Sequence, residues 1–203
     1  SAQAIWGLAL QQQGDYPAAQ TQYQAGIVAS NKVPSVALAA NLKGLGIIMA
    51  IQGESPQARH YFEQALQISE AINDRLGVSA NLNNIGAVAA NAGDYATAES
   101  YYEKSIAIKE AIGDHRGLGL SYSNFGVVAS DLQDYARAQI YYEKGLAIQR
   151  EIGDQWSISY SLSNIGGLQL ALGHYTLAHT YLEEALELSK EIGDQRGLGI
   201  HLD

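Results

Sequence analysis

The chain repeats itself every 40 residues, and no other feature constrains its fold as much. The stretch from Leu82 to Asp114, LNNIGAVAANAGDYATAESYYEKSIAIKEAIGD, returns in recognisable form at Ser121–Asp154 and again at Leu162–Asp194. One copy precedes it at Leu42–Asp74, and a looser one opens the chain from Ile5. A fixed period of this length marks a stacked array, in which each unit buries its apolar face only against its neighbours. The expected repeats are 1–34, 35–73, 74–113, 114–153 and 154–193, with the start of a further helix over 194–203, all within one array spanning 1–203. Because the sequence begins inside one repeat and stops a few residues into another, it is expected to be a fragment of a longer protein.

Composition narrows the function classes. Hydrophobic residues make up 47% of the 203 residues and charged residues 16%, which suits a chain with a core rather than a disordered one. A net charge of -9 disfavours nucleic acid and anionic membranes as partners. The absence of cysteine excludes disulfides, thiolate metal sites and a cysteine nucleophile. No apolar run approaches the roughly 18 residues of a membrane span. No signal-peptide pattern appears, so a cytoplasmic location is expected.

Each repeat reads as two amphipathic helices of about 17 residues, roughly 25 Å long. In the central copy Ala98, Tyr102, Ser105, Ile108 or Lys109, and Ile112 fall on one face of the second helix, and Leu82, Ile85, Gly86 and Ala89 on one face of the first. Gly93-Asp94 separates the two, the glycine suited to a left-handed cap and the aspartate to an N-cap. Between repeats Gly113-Asp114 and Gly153-Asp154 repeat the device, with Asn73-Asp74 as a substitute. The first junction, Asn31 to Ser35, breaks the register and carries Pro34, so its packing is expected to differ. A glycine inside a helix costs about 1 kcal/mol against alanine. Gly7, Gly46, Gly86, Gly126 and Gly166 therefore need a packing reason, and close helix approach is the simplest. Twelve residues after each comes an alanine (Ala19, Ala58, Ala98, Ala138, Ala178), followed four later by a large residue (Tyr23, Phe62, Tyr102, Tyr142, Leu182).

The pattern Leu82, Ile85, Gly86, Ala98, Tyr102, Ser105 resembles the tetratricopeptide repeat consensus, whose usual length is 34 residues. This chain is similar to the longer, 40-residue variety found in kinesin light chains, Pins-like scaffolds and bacterial signalling proteins. The resemblance implies an all-α solenoid, a right-handed superhelix of antiparallel helix pairs. It also implies a protein-interaction scaffold with no enzymatic activity, which holds a peptide or helix of a partner in a concave groove lined by first helices. Two alternatives stay open: a sensor or regulatory module of a larger bacterial signalling protein, and a self-association module acting through exposed repeat edges.

No catalytic constellation appears. His174 and His179 are five apart, off one helical face, and lack an acid or cysteine at ligand spacing, so no metal is expected. Gly44-Leu45-Gly46 and Gly117-Leu118-Gly119 follow no strand, so no dinucleotide cofactor is expected. Carried over position by position, the family's groove positions two before the packing glycine are Ile5, Gly44, Asn84, Asn124 and Asn164. An amide offers both a donor and an acceptor to a peptide backbone of any sequence. It can equally bond the adjacent repeat. Neighbouring groove positions are Lys43, Ile47, Ile51, Asn83, Ala87, Asn91, Ser123, Val127, Asp131, Ser163, Gly167 and Leu170. They lack the Lys/Arg cluster of the carboxylate-clamp type.

Overall fold

The computed structural model describes residues 1–193, and every element among them is a helix. In order these are α1 (Ala2–Gln12), α2 (Tyr16–Ala29), α3 (Val36–Ile51), α4 (Ser55–Ala71), α5 (Arg75–Asn91), α6 (Tyr95–Ile112), α7 (His115–Asp131), α8 (Tyr135–Ile152), α9 (Gln155–Ala171) and α10 (Tyr175–Glu191). The further helix expected over 194–203 lies outside the described residues. The chain forms two compact units, Ser1–Ile108 and Lys109–Asp203, with the boundary inside α6. In the first unit α1 packs on α2 and α3 on α4. Each second helix also packs on the next first helix, α2 on α3 and α4 on α5, and first helices meet directly as α1 with α3 and α3 with α5. The second unit repeats this scheme with α7 on α8, α8 on α9, α9 on α10 and α7 against α9.

The recurring glycines have the packing reason the sequence required. A Cβ on Gly46 would stand 2.6 Å from Cε1 of Phe62, one on Gly126 2.5 Å from Cδ1 of Tyr142, and one on Gly166 2.7 Å from Cγ of Leu182. The large residue of each second helix thus lies flat on the glycine of its partner. Ala19, Ala58, Ala98, Ala138 and Ala178 are fully buried beside these contacts.

The turns follow the same economy. Gly53, Gly93 and Gly173 end first helices at φ near +80°, a left-handed conformation that glycine adopts without Cβ strain. Asp15, Asp74, Asp114, Asp134 and Asp154 cap the helices that follow, each accepting from a backbone N–H three residues on. The first junction does differ: Asn31 and Lys32 both adopt positive φ, and Ser35 caps α3. Gln133 holds the left-handed place at φ 60° where the four other repeats use glycine. A non-glycine residue there costs about 1–2 kcal/mol, partly offset by glycine's greater unfolded-state freedom. Gln133→Gly is expected to raise stability by about 0.5–1 kcal/mol, read as a higher urea midpoint with an unchanged slope.

Candidate functional site

The first helices carry the asparagines at one register. Asn84 on α5, Asn124 on α7 and Asn164 on α9 each stand two residues before a packing glycine and are partly exposed. The side chains of Asn84 and Asn124 make no hydrogen bond among the described residues. Asn164 Nδ2 is a buried donor without a partner. Amide capacity is thus left unspent at all three. Asn41 and Asn81 are buried, and their Nδ2 groups donate to the carbonyls of Ala37 and Gly77, each at 2.9 Å, while their Oδ1 atoms have no partner.

The same register is not open throughout. Ile5 is exposed, but Gly44 is buried under the ring of Tyr23, whose atoms occupy the space a side chain would need. Ile47 packs on the core of the first unit and Val127 on that of the second, both partly buried. Asn83 is partly buried and already has a partner. Asn91 and Asp131 are the exposed last residues of α5 and α7.

Ser123 differs most from a groove residue, because it is fully buried. Its hydroxyl donates to the Gly119 carbonyl at 3.1 Å, accepts from Gln149 Nε2 at 3.2 Å and lies 2.8 Å from Ser161 Oγ. It belongs to an internal polar network between α7, α8 and α9. Lys43 is partly exposed and lines a cavity of about 150 Å³ between α3, the end of α4 and the start of α5.

A second register escaped the sequence reading. Ser69, Lys109, Gln149 and Ser189 recur every 40 residues in the second helices, and all four are buried. Lys109 Nζ donates to Ser121 Oγ at 2.6 Å, and Ser161 Oγ donates to Gln149 Oε1 at 2.6 Å. Burial pushes the Lys109 ammonium down to about 8, against the pull of the Asp114 carboxylate. Ser69 Oγ has no partner at all. The signal was present in the sequence: one polar residue at a fixed place in an otherwise apolar stripe.

Among the described residues no group of three His, Asp or Glu side chains could hold a metal ion. No described helix is long and apolar enough to cross a membrane.

Within each unit, paired helices meeting glycine to large side chain, with first helices packed on one another, define a helical-repeat protein of the all-α solenoid class. The tetratricopeptide repeat models match residues 1–71, 77–151 and 159–192, and the chain belongs to the tetratricopeptide repeat family. No curated protein matches it in sequence. Solved structures share the fold. BtubC (BKLC) from P. vanneervenii is 20% identical, with a TM-score of 0.74 over 96% of this chain and 81% of its own. A Rap protein complexed with competence and sporulation factor is 16% identical, with a TM-score of 0.89 over 98% of this chain and 56% of its own. The Rap conjugation gene regulator of plasmid pLS20, in complex with the Phr* peptide, is 14% identical, with a TM-score of 0.86 over 98% and 55%. The chain therefore spans little more than half of either Rap protein.

Proposed function

We propose that this chain is a protein-interaction scaffold whose first helices receive a peptide or helical segment of a partner. The observation that carries this reading is the unspent amide at one repeated register, Asn84, Asn124 and Asn164. The buried Asn164 Nδ2 costs stability unless a ligand uses it, and the partly exposed amides of Asn84 and Asn124 are open to a ligand. A repeated donor-acceptor pair matches a peptide backbone, which presents the same groups along its length. The two Rap structures, one complexed with competence and sporulation factor and one with the Phr* peptide, support the reading, since their fold is the same. That the five helix pairs act as one array, without chemistry of their own, is part of the same proposal. Around these amides, Lys43, Ile47, Asn83, Asn91, Val127 and Asp131 are proposed as flanking contacts.

The test is selection of random peptides on the wild-type chain, followed by binding of each selected peptide to an Asn84→Ala, Asn124→Ala, Asn164→Ala variant. A net hydrogen bond is worth about 1 kcal/mol. Losing two or three should weaken binding on the order of 30- to 150-fold. Circular dichroism checks that the variant is folded. Equal affinity for both proteins would refute the role of these amides.

A further inference from the structure

The cavity between α3, α4 and α5 has a register explanation. Lys43, Ser69, Asp74 and Asn81 line it beside Ala39, Ala40 and Ala80. Forty residues on from Ser69 stands Lys109, whose Nζ reaches Ser121, the counterpart of Asn81. Eighty residues on stands Gln149, whose amide oxygen accepts from Ser161 and whose amide nitrogen donates to Ser123. A Cβ on Gly117 would meet Asp114 Oδ2 and Lys109 Cε, whereas one on Gly77 would meet Asp74 Oδ2 and Ser69 Oγ. The aliphatic arm present at Lys109 is thus missing at Ser69.

The acceptors that such an arm would meet remain in place and unused. Ser69 is fully buried with Oγ unpartnered, and Asn81, 2% exposed, has Oδ1 unpartnered. Asp74 gives one carboxylate oxygen to the Gly77 N–H at 2.9 Å, and its other oxygen points over the same turn. Three oxygen acceptors on residues lining one cavity, where an ammonium arm stands in the next repeat, match in number the three N–H donors of a primary ammonium. Lys43 lines the same cavity and forms no ion pair among the described residues, so a carboxylate at the outer end of the occupant would find a partner. Ala39, Ala40 and Ala80 suit a short methylene arm between the two charges.

We infer that this cavity is a binding site for a small amino-acid zwitterion. The ammonium lies among Ser69, Asn81 and Asp74, and the carboxylate lies toward Lys43. The cavity volume suits a ligand of that size, and an affinity in the millimolar range is expected for so few atoms.

The probes are glycine, β-alanine, 4-aminobutyrate and 5-aminovalerate, titrated by NMR and scored by thermal shift. n-Butylammonium and butyrate serve as single-charge controls. At least one amino acid should bind about tenfold more tightly than both controls and raise the melting temperature, as binding to the native state requires. Ser69→Lys fills the space from within and should abolish binding. Asp74→Asn keeps an N-cap and should weaken the winning amino acid about tenfold. Lys43→Met should reduce its affinity to that of n-butylammonium. Two results would overturn the inference: no amino acid outperforming both controls, or a folded Ser69→Lys variant that binds as well as wild type.

Discussion

Phe62→Ala is expected to remove about 3–5 kcal/mol of stability, the range for deleting a buried aromatic ring. Phe62 is 2% exposed and sits in the first unit's core with Tyr23, Leu45, Ile48 and Ile85. Its ring also explains Gly46, and that link gives the prediction a sign change. Gly46→Ala alone places a methyl 2.6 Å from Phe62 Cε1. Overpacking of this kind costs about 1–3 kcal/mol, which exceeds the gain of about 1 kcal/mol from replacing a helical glycine. In the Phe62→Ala background the obstacle is gone, and the same Gly46→Ala change should stabilise by about 1 kcal/mol. The double-mutant cycle should therefore show a coupling of about 2 kcal/mol, measured by urea unfolding followed by circular dichroism. If Gly46→Ala acts equally in both backgrounds, the glycine is not there to admit the ring.

Lys109→Gln should stabilise the protein at neutral pH, even though it deletes a hydrogen-bonded cation. The side chain is 4% exposed, and burial lowers its ammonium from 10.5 to about 8. A depression of that size corresponds to about 3 kcal/mol of cost in the charged form. The folded state holds the proton less tightly than the unfolded chain does. The cost is therefore fully present below pH 8 and is relieved as the pH rises toward 10.5, so wild type gains stability across that window. Glutamine carries no such cost and already serves the same register at position 149, where it bonds Ser161 and Ser123. The variant's advantage should be about 3 kcal/mol at pH 7 and should shrink between pH 8 and 10.5. Taking the difference between the two proteins removes the pH dependence that they share. A difference that does not change with pH would mean that Lys109 is not held at a cost.

Much of this fold can be read from the sequence because the period locks several signals together. Gly46, Gly86, Gly126 and Gly166 each carry a helix-propensity cost, and each is repaid by a large residue 16 positions later that lies on it. Gly93 and Asp94 announce a turn by chemistry that few other residues share. The site was less legible. Ser123 and Asn124 are adjacent, and adjacent helical residues point about 100° apart. The family pattern assigned both to the groove, yet Ser123 is internal. Hydrophobicity favours Ile108 over Lys109 for the buried stripe. The spacing Ala98, Tyr102, Ser105, Lys109 favours the lysine, and the structure buries it. The family pattern places Gly44 in the groove, but its surface is filled by Tyr23 from a neighbouring helix, a contact no local pattern encodes. The cavity beside Ser69 depends on an arm that is absent there. It shows only when Ser69 is set against Lys109 and Gln149 in three dimensions.

The first helices are proposed to receive a partner segment through Asn84, Asn124 and Asn164. This is tested most directly by side-chain amide NMR of the chain titrated with a selected peptide. The account predicts that the NH2 resonances of these three asparagines shift together in a single saturable step, while those of the buried Asn41 and Asn81 stay in place. Shifts confined to the second helices, with the three amides unmoved at saturation, would contradict it.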